Sequence, residues 1–162
     1  MKLNIGTDGK KLEGYINVDV IPEFADVCAN MVALPFADGC IAEINTSHTM
    51  EHLTKEEAGR FVKEAYRVLE IGGKLGVAVP SILEMAQGLL DHPGEEEDWI
   101  QRIYGRQLDQ HDFHKWGWTP WSLRSLMEEE GFTTTELKTL VGLRPTPTLL
   151  YRGTKDGNRN RS

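Results

Sequence analysis

The sequence predicts an α/β domain built on a mostly parallel sheet, and three observations carry that expectation. An apolar strand at residues 3–6 runs straight into a loop of small and polar residues, Gly6-Thr7-Asp8-Gly9. A second apolar segment, residues 15–19, ends in an acid, Asp19. Further along, a helix-period segment at 54–69 passes through Gly72 and Gly73 into the apolar run Val77-Ala78-Val79. Such a run is the pattern of a strand buried on both faces.

The elements follow in order. Residues 3–6 and 15–19 are strands, and only the stretch 7–14 separates them. That is too short for a full crossover helix, so a short irregular connection is expected. Residues 25–29 read as a weaker strand and 41–46 as a further one. Thr54 and Glu57 form a T-x-x-E capping box, and Ala58, Phe61, Val62, Ala65 and Leu69 share one face, so 54–69 is a helix. Gly72 and Gly73 read as its stop signal. The strand at 74–80 then completes half of a parallel crossover unit. Thr119 as N-cap, Pro120 in the first turn and Gly131 at the end mark a second helix, with Leu123, Leu126 and Met127 as its apolar face. Strands near 134–141 and 148–152 complete the sheet.

Residues 81–118 are too long for a simple connection and are rich in Trp, His and acids. Long excursions after the C-terminal end of a strand tend to carry function. The acids at 95–98, before Trp99, Ile100, Ile103 and Tyr104, read as the start of a short amphipathic helix. The expected organisation is one domain over residues 1–154, with a helical lid insertion at about 81–118 and a flexible polar tail at 155–162.

A chain of 162 residues can bury one core without disulfide or metal staples. A net charge of −7 argues against nucleic acid as a partner, because a phosphate backbone needs a basic stripe. A nucleotide-sized ligand is still compatible with it. Cys28 and Cys40 lack metal or redox spacing and read as two buried thiols in a reducing compartment. The start MKLNIG has no long apolar segment, and no apolar run approaches membrane-spanning length. The expectation is a cytoplasmic protein without a membrane partner.

Small residues let a ligand approach the backbone closely, and a carboxylate at the next strand tip can accept from two ribose hydroxyls. Gly6, Gly9 and Asp19 therefore read as a nucleoside site. His48-Thr-Met-Glu51-His52 formally matches H-x-x-E-H, in which two His four apart on a helix share zinc and Glu is the base. The match is short and follows a buried strand, so no metal is expected there. In His111-Asp112-Phe113-His114, Asp112 is placed to orient either imidazole, or the segment is a lid satisfying its own backbone. Trp116, Trp118 and Trp121 either line an acceptor pocket or pack the lid.

The whole order can be read as one pattern. It runs strand, glycine loop, strand with acid, LPF at 34–36, SHTMEHL at 47–53, YRVLEIGGKLGVAVP at 66–80, DFHKWGWT at 112–119 and EEEGF at 128–132. This pattern resembles the class I S-adenosylmethionine-dependent methyltransferases, in particular the compact bacterial and phage-type set that begins at its first strand. The resemblance spans residues 3 to about 151 and implies a Rossmann-like methyltransferase fold. That fold is α/β, with a mostly parallel seven-stranded sheet, one antiparallel strand and helices on both faces. S-adenosyl-L-methionine is the implied cofactor. The resemblance places Gly6 and Gly9 at its methionine portion and Asp19 at the ribose, counts Thr7, Asp8, Asn30 and Met31 among the cofactor-binding residues, and leaves Leu34 and Phe36 either packing on adenine or in the plain core. Ser47 falls beside the reacting methyl, and His48, His111 and His114 are candidate bases on the side of a small-molecule acceptor. The implied reaction is O- or N-methylation, with a sugar- or glycan-related acceptor within the family's range.

Two departures stand out. The first loop reads LNIGTDG where the family has LNLGCG, and Asp8 is offered to the cofactor's α-ammonium. Asn30 stands where the family has Asp before LPF, and its amide oxygen can still accept from an adenine amino group. The altered loop and short first connection support an alternative, a non-catalytic binding protein or partner subunit of the same fold. A zinc hydrolase built on HTMEH is the remote alternative.

Overall fold

The computed structural model describes residues 1–142 and 146–157. Strands β1 (Lys2–Ile5), β2 (Ile16–Asp19), β3 (Val27–Cys28), β4 (Ile41–Ser47), β5 (Leu69–Pro80), β6 (Phe132–Leu140) and β7 (Thr148–Lys155) form one sheet, in the order β3-β2-β1-β4-β5-β7-β6. All pairings are parallel except those of β7, which runs antiparallel to β5 and β6. The mostly parallel seven-stranded sheet with one antiparallel strand is thus as the sequence implied. The helices are α1 (Lys55–Val68), α2 (Ile82–Asp91), α3 (Glu96–Tyr104) and α4 (Pro120–Glu129). Among the described residues no helix is long and apolar enough to cross a membrane.

The capping signals form as written. Thr54 accepts from the Glu57 N–H and Glu57 closes the box on the Thr54 N–H. Thr119 and Ser122 make the equivalent box at α4, with Pro120 in the first turn. Gly72 and Gly73 do not stop α1, however. The helix ends at Val68, Leu69 is already extended, and β5 begins there. Gly72, at φ +79°, sits where the register of β5 against β4 jumps from Ile41–Leu69 to Glu43–Lys74. The glycines therefore serve a bulge inside the strand.

One core holds the domain. Ala58, Phe61, Val62, Ala65 and Val68 of α1 and Leu123 and Met127 of α4 pack with Leu3, Ile5, Ile44, Leu75, Val77, Val79, Leu149 and Tyr151 from one face of the sheet. The opposite face carries a polar network. Lys2 pairs with Glu43 at 3.0 Å, Tyr15 donates to Glu43 at 2.6 Å, and the Asn4 amide donates to Asn17 at 2.9 Å. Asn45 donates to Glu43 and to the Tyr15 hydroxyl. A shallow cavity of about 210 Å³ on this face is lined by Asn4, Asn45, Gly76, Ala78, Leu150 and Arg152, among others. The connections at 6–15 and 20–26 on the way between β1, β2 and β3 hold no α-helix. Ala78 is accordingly half-buried while Val77 and Val79 are fully buried, so β5 is not covered on both faces.

Three smaller expectations change. Cys28 is exposed on the edge strand β3, and Cys40 is half-buried, so neither is a core thiol. Lys155, expected in the tail, ends β7 and donates to the Leu69 carbonyl at 2.7 Å. Residues 158–162 of that tail lie outside the described residues.

Candidate functional site

The C-terminal ends of β1, β2 and β4 converge, and the loop after β1 is held there by its neighbours. Gly6 (φ +72°), Asp8 (φ 44°) and Gly9 (φ +73°) are left-handed, a region that glycine enters freely and aspartate tolerates. The Gly6 N–H donates to Val18 O at 2.9 Å and the Lys10 N–H to Thr7 O at 2.7 Å. Asp19, 8% exposed, grips the loop: Oδ2 accepts from the Thr7 N–H at 2.7 Å and lies 3.2 Å from Thr7 Oγ1, and Oδ1 accepts from the Ile21 N–H at 3.0 Å. Thr49, which the sequence did not single out, donates to Gly6 O and Ser47 O at 3.3 Å each. Its side chain fills the space that a Cβ at Gly6 would need. Gly6, Thr7, Asp19 and Ser47 are thus brought together, with Asp8 and Gly9 exposed at the rim.

The segment expected around adenine is pinned from below. Asn30 is exposed and its Oδ1 accepts from the Val32 N–H at 3.1 Å. Met31 and Leu34 are buried in the core at 5% and 4% exposure. Glu64 accepts from the Leu34 N–H at 2.7 Å, and Arg67 donates to Leu34 O, Phe36 O, Asp38 and Glu64. Hydrogen-bonding to Arg67 and Leu34 holds the Glu64 carboxyl below its usual range despite burial.

At the tip of β4, His48 is left-handed at φ 54° and half-buried. Thr148 Oγ1 donates to Thr146 O, so it accepts from His48 Nε2 at 3.2 Å, which leaves the Nδ1 lone pair 3.5 Å from Glu51 Oε1. Met50–His52 form a single 3-10 turn, so His48 and His52 do not share the helical face that the zinc-protease reading of HTMEH requires. Glu51 is 2% exposed, and its Oε2 has no hydrogen-bond partner. Its carbonyl accepts from the Lys115 and Trp116 N–H groups, fastening the 105–118 segment to the sheet.

The two histidines of the 105–118 segment part company. His114 is half-buried, 5.0 Å from the His52 ring in an edge-on pair, and its Nδ1 lies 3.2 Å from Ile103 O. Burial pushes its imidazole below the ordinary range, Glu51 pulls it back up, and His52 pushes it down. His111 is exposed beside Gln110, away from that pair. Asp112 accepts from the Leu108 N–H and faces Arg106, so it orients neither imidazole and serves the backbone of its own loop. Trp118 is core, Trp116 packs edge-on against it, and Trp121 stands 72% exposed on α4. The three tryptophans therefore do not form one pocket wall. Thr148 was missed because nothing local marks it: its partner is 100 residues away.

A family model described as a methyltransferase domain matches residues 10–77. No curated protein sequence matches the chain. Solved structures do. A chain of the complex between the Haloferax volcanii Trm112 methyltransferase activator and a methyltransferase is 15% identical with a TM-score of 0.69, covering 96% of this chain and 82% of that one. An S-adenosylmethionine-dependent methyltransferase from Thermotoga maritima is 17% identical with a TM-score of 0.66, covering 96% and 82%. The Burkholderia thailandensis 1,6-didemethyltoxoflavin-N1-methyltransferase, solved with S-adenosylhomocysteine and its acceptor, is 15% identical with a TM-score of 0.68, covering 96% and 70%. Residues 10–77 match a methyltransferase-domain model, and the chain has the fold of the class I S-adenosylmethionine-dependent methyltransferases.

Proposed function

We propose that this chain binds S-adenosyl-L-methionine across the C-terminal ends of β1, β2 and β4 and transfers its methyl group to an oxygen or nitrogen of a small-molecule acceptor. The observation that carries this reading is the Asp19–Thr7 clamp at the converging strand tips. The donor chemistry there fits such a ligand. A carboxylate offers about four lone-pair sites. The Thr7 and Ile21 N–H groups each take one site on Asp19, the Thr7 hydroxyl shares its single proton between Oδ2 and Phe24 O, and Oδ1 keeps a site for a ribose hydroxyl. Asn30 Oδ1 spends one on Val32 and keeps one for an amino group such as adenine's. Gly9, exposed and left-handed, brings backbone to the surface beside the Phe24 ring.

The cofactor, when bound, supplies an electrophilic methyl on a sulfonium. The remaining work is alignment and exclusion of water, with a base where the acceptor must lose a proton. His48 is the residue placed for that at the β4 tip. Thr148 holds the ring through Nε2, Nδ1 is left to take the proton, and the Glu51 carboxylate 3.5 Å away stabilises the imidazolium formed. The 81–118 segment, tied down through Glu51, covers the acceptor side.

The test is calorimetry with S-adenosylhomocysteine. One equivalent should bind, and Asp19→Ala should weaken it; a folded wild-type chain that binds neither S-adenosylhomocysteine nor S-adenosylmethionine sinks the reading. A second reading, a non-catalytic partner subunit of this fold, is favoured by Thr49 filling the space over Gly6. Cofactor binding without methyl transfer to any of a broad panel of hydroxyl and amine acceptors would favour that alternative.

A further inference from the structure

Outside the proposed nucleoside site, Glu51, His52 and His114 bring metal-ligating atoms together among the described residues. We infer that Glu51, His52 and His114 form a site for a divalent transition-metal ion of the zinc class, joining the β4 tip to the lid. One candidate ligand atom from each of the three residues lies within 4.8 Å of the other two.

The tautomers favour a metal. His52 Nδ1 is 3.0 Å from Phe113 O and His114 Nδ1 is 3.2 Å from Ile103 O. A backbone carbonyl only accepts, so in each neutral ring Nδ1 carries the proton and Nε2 carries a lone pair. Imidazoles that bind metals are oriented in this way, with the non-ligating N–H on a carbonyl or carboxylate. Glu51 adds an independent observation: it is 2% exposed and its Oε2 is unpartnered. A buried carboxylate oxygen without a donor is costly, and a cation offsets that cost.

The donor set selects the ion. Two imidazole nitrogens and one carboxylate oxygen suit zinc and its neighbours, whereas magnesium and calcium favour oxygen ligands. Three protein ligands leave one tetrahedral position for water or an acceptor atom. His52 and His114 are half-exposed, which provides the entry path. The H-x-x-E-H reading named the wrong pair: His48 Nε2 is engaged by Thr148, and His114, brought in by the lid, takes that place beside His52.

The test uses the full chain, stripped with chelator, dialysed and titrated with zinc chloride by calorimetry. One equivalent should bind and raise the Tm, since an ion that binds only the folded state stabilises it. Glu51→Gln and His114→Gln should each weaken binding by at least the roughly ten- to hundredfold typical of losing even an outer partner. His92→Gln, which alters a histidine stacked on Trp99 outside the cluster, should leave binding unchanged. Cobalt substituted for zinc should give the d–d absorption of a four-coordinate site. Absence of stoichiometric binding, or undiminished affinity in both folded variants, overturns the proposal. Should either variant fail to fold, the wild-type cobalt spectrum decides, and a six-coordinate aquo-like spectrum overturns it.

Discussion

Asp19 holds Thr7 by two atoms, the backbone N–H at 2.7 Å and Oγ1 at 3.2 Å, so the acid at the end of β2 shapes the loop after β1. The same carboxylate is thus a loop clamp and a candidate ribose acceptor. Asp19→Ala should weaken S-adenosylhomocysteine binding by about 1.5–3 kcal/mol and destabilise the fold by about 1–3 kcal/mol, because the buried Thr7 N–H loses its partner. Thr7→Ala removes only the hydroxyl and should cost less on both counts. Calorimetry and urea unfolding of the two variants separate the roles. A destabilised Asp19→Ala with undiminished affinity would mean that the clamp is structural alone.

Gly6 and Thr49 are sterically coupled. Gly6→Ala should destabilise by about 1–2 kcal/mol from left-handed strain alone, with a further loss from the collision with Thr49. Thr49→Ala removes the Oγ1 and Cγ2 that a Cβ at Gly6 would meet, while the Cβ of residue 49 and the left-handed strain remain. The double variant should therefore be more stable than the sum of the single losses, and a double-mutant cycle in urea checks it. Strict additivity would mean that Thr49 does not pack on Gly6.

Arg67 is the hub beneath the 34–38 segment, donating to two carboxylates and two carbonyls. Lys cannot reproduce a planar fork of donors. Arg67→Lys should cost about 1–2 kcal/mol and Arg67→Ala about 2–3 kcal/mol in urea unfolding. Equal stability of the Lys variant and wild type would show that the fork is dispensable.

Asp26 provides the pH dependence. Hydrogen-bonding first to Lys11, then to Asn17, lowers its pKa to about 2. A group with a depressed folded value stabilises above its unfolded value of about 3.9 and loses that contribution as pH falls through the folded value. The urea midpoint of wild type should exceed that of Asp26→Asn at neutral pH, and the gap should close between about pH 4 and 2. A gap unchanged at low pH would mean that the Asp26 charge is not what stabilises.

The local grammar of the chain was readable in advance. The T-x-x-E box before α1, Pro120 after Thr119 and Asp19 ending β2 sit where the sequence placed them, because caps and turn residues act within a few positions of themselves. Gly72 misled for a related reason: a glycine marks a left-handed residue without saying whether a helix has ended or a strand has bulged. Ala78 misled because alanine suits a covered or an open face equally.

The sequence by itself determined the order of strands and helices, the parallel core of the sheet and the acid at the β2 tip. Tertiary structure alone decided which side chains meet. His52 reaches Phe113 across 61 residues, His48 reaches Thr148 across 100, and Asp112 turns to its own loop instead of to His111 or His114. Such contacts depend on how the 105–118 segment and β7 pack against the end of β4, which no period or short motif encodes. The polar sheet face is likewise decided by the path of the chain: with no α-helix between β1 and β2, Lys2, Tyr15, Glu43 and Asn45 satisfy one another there.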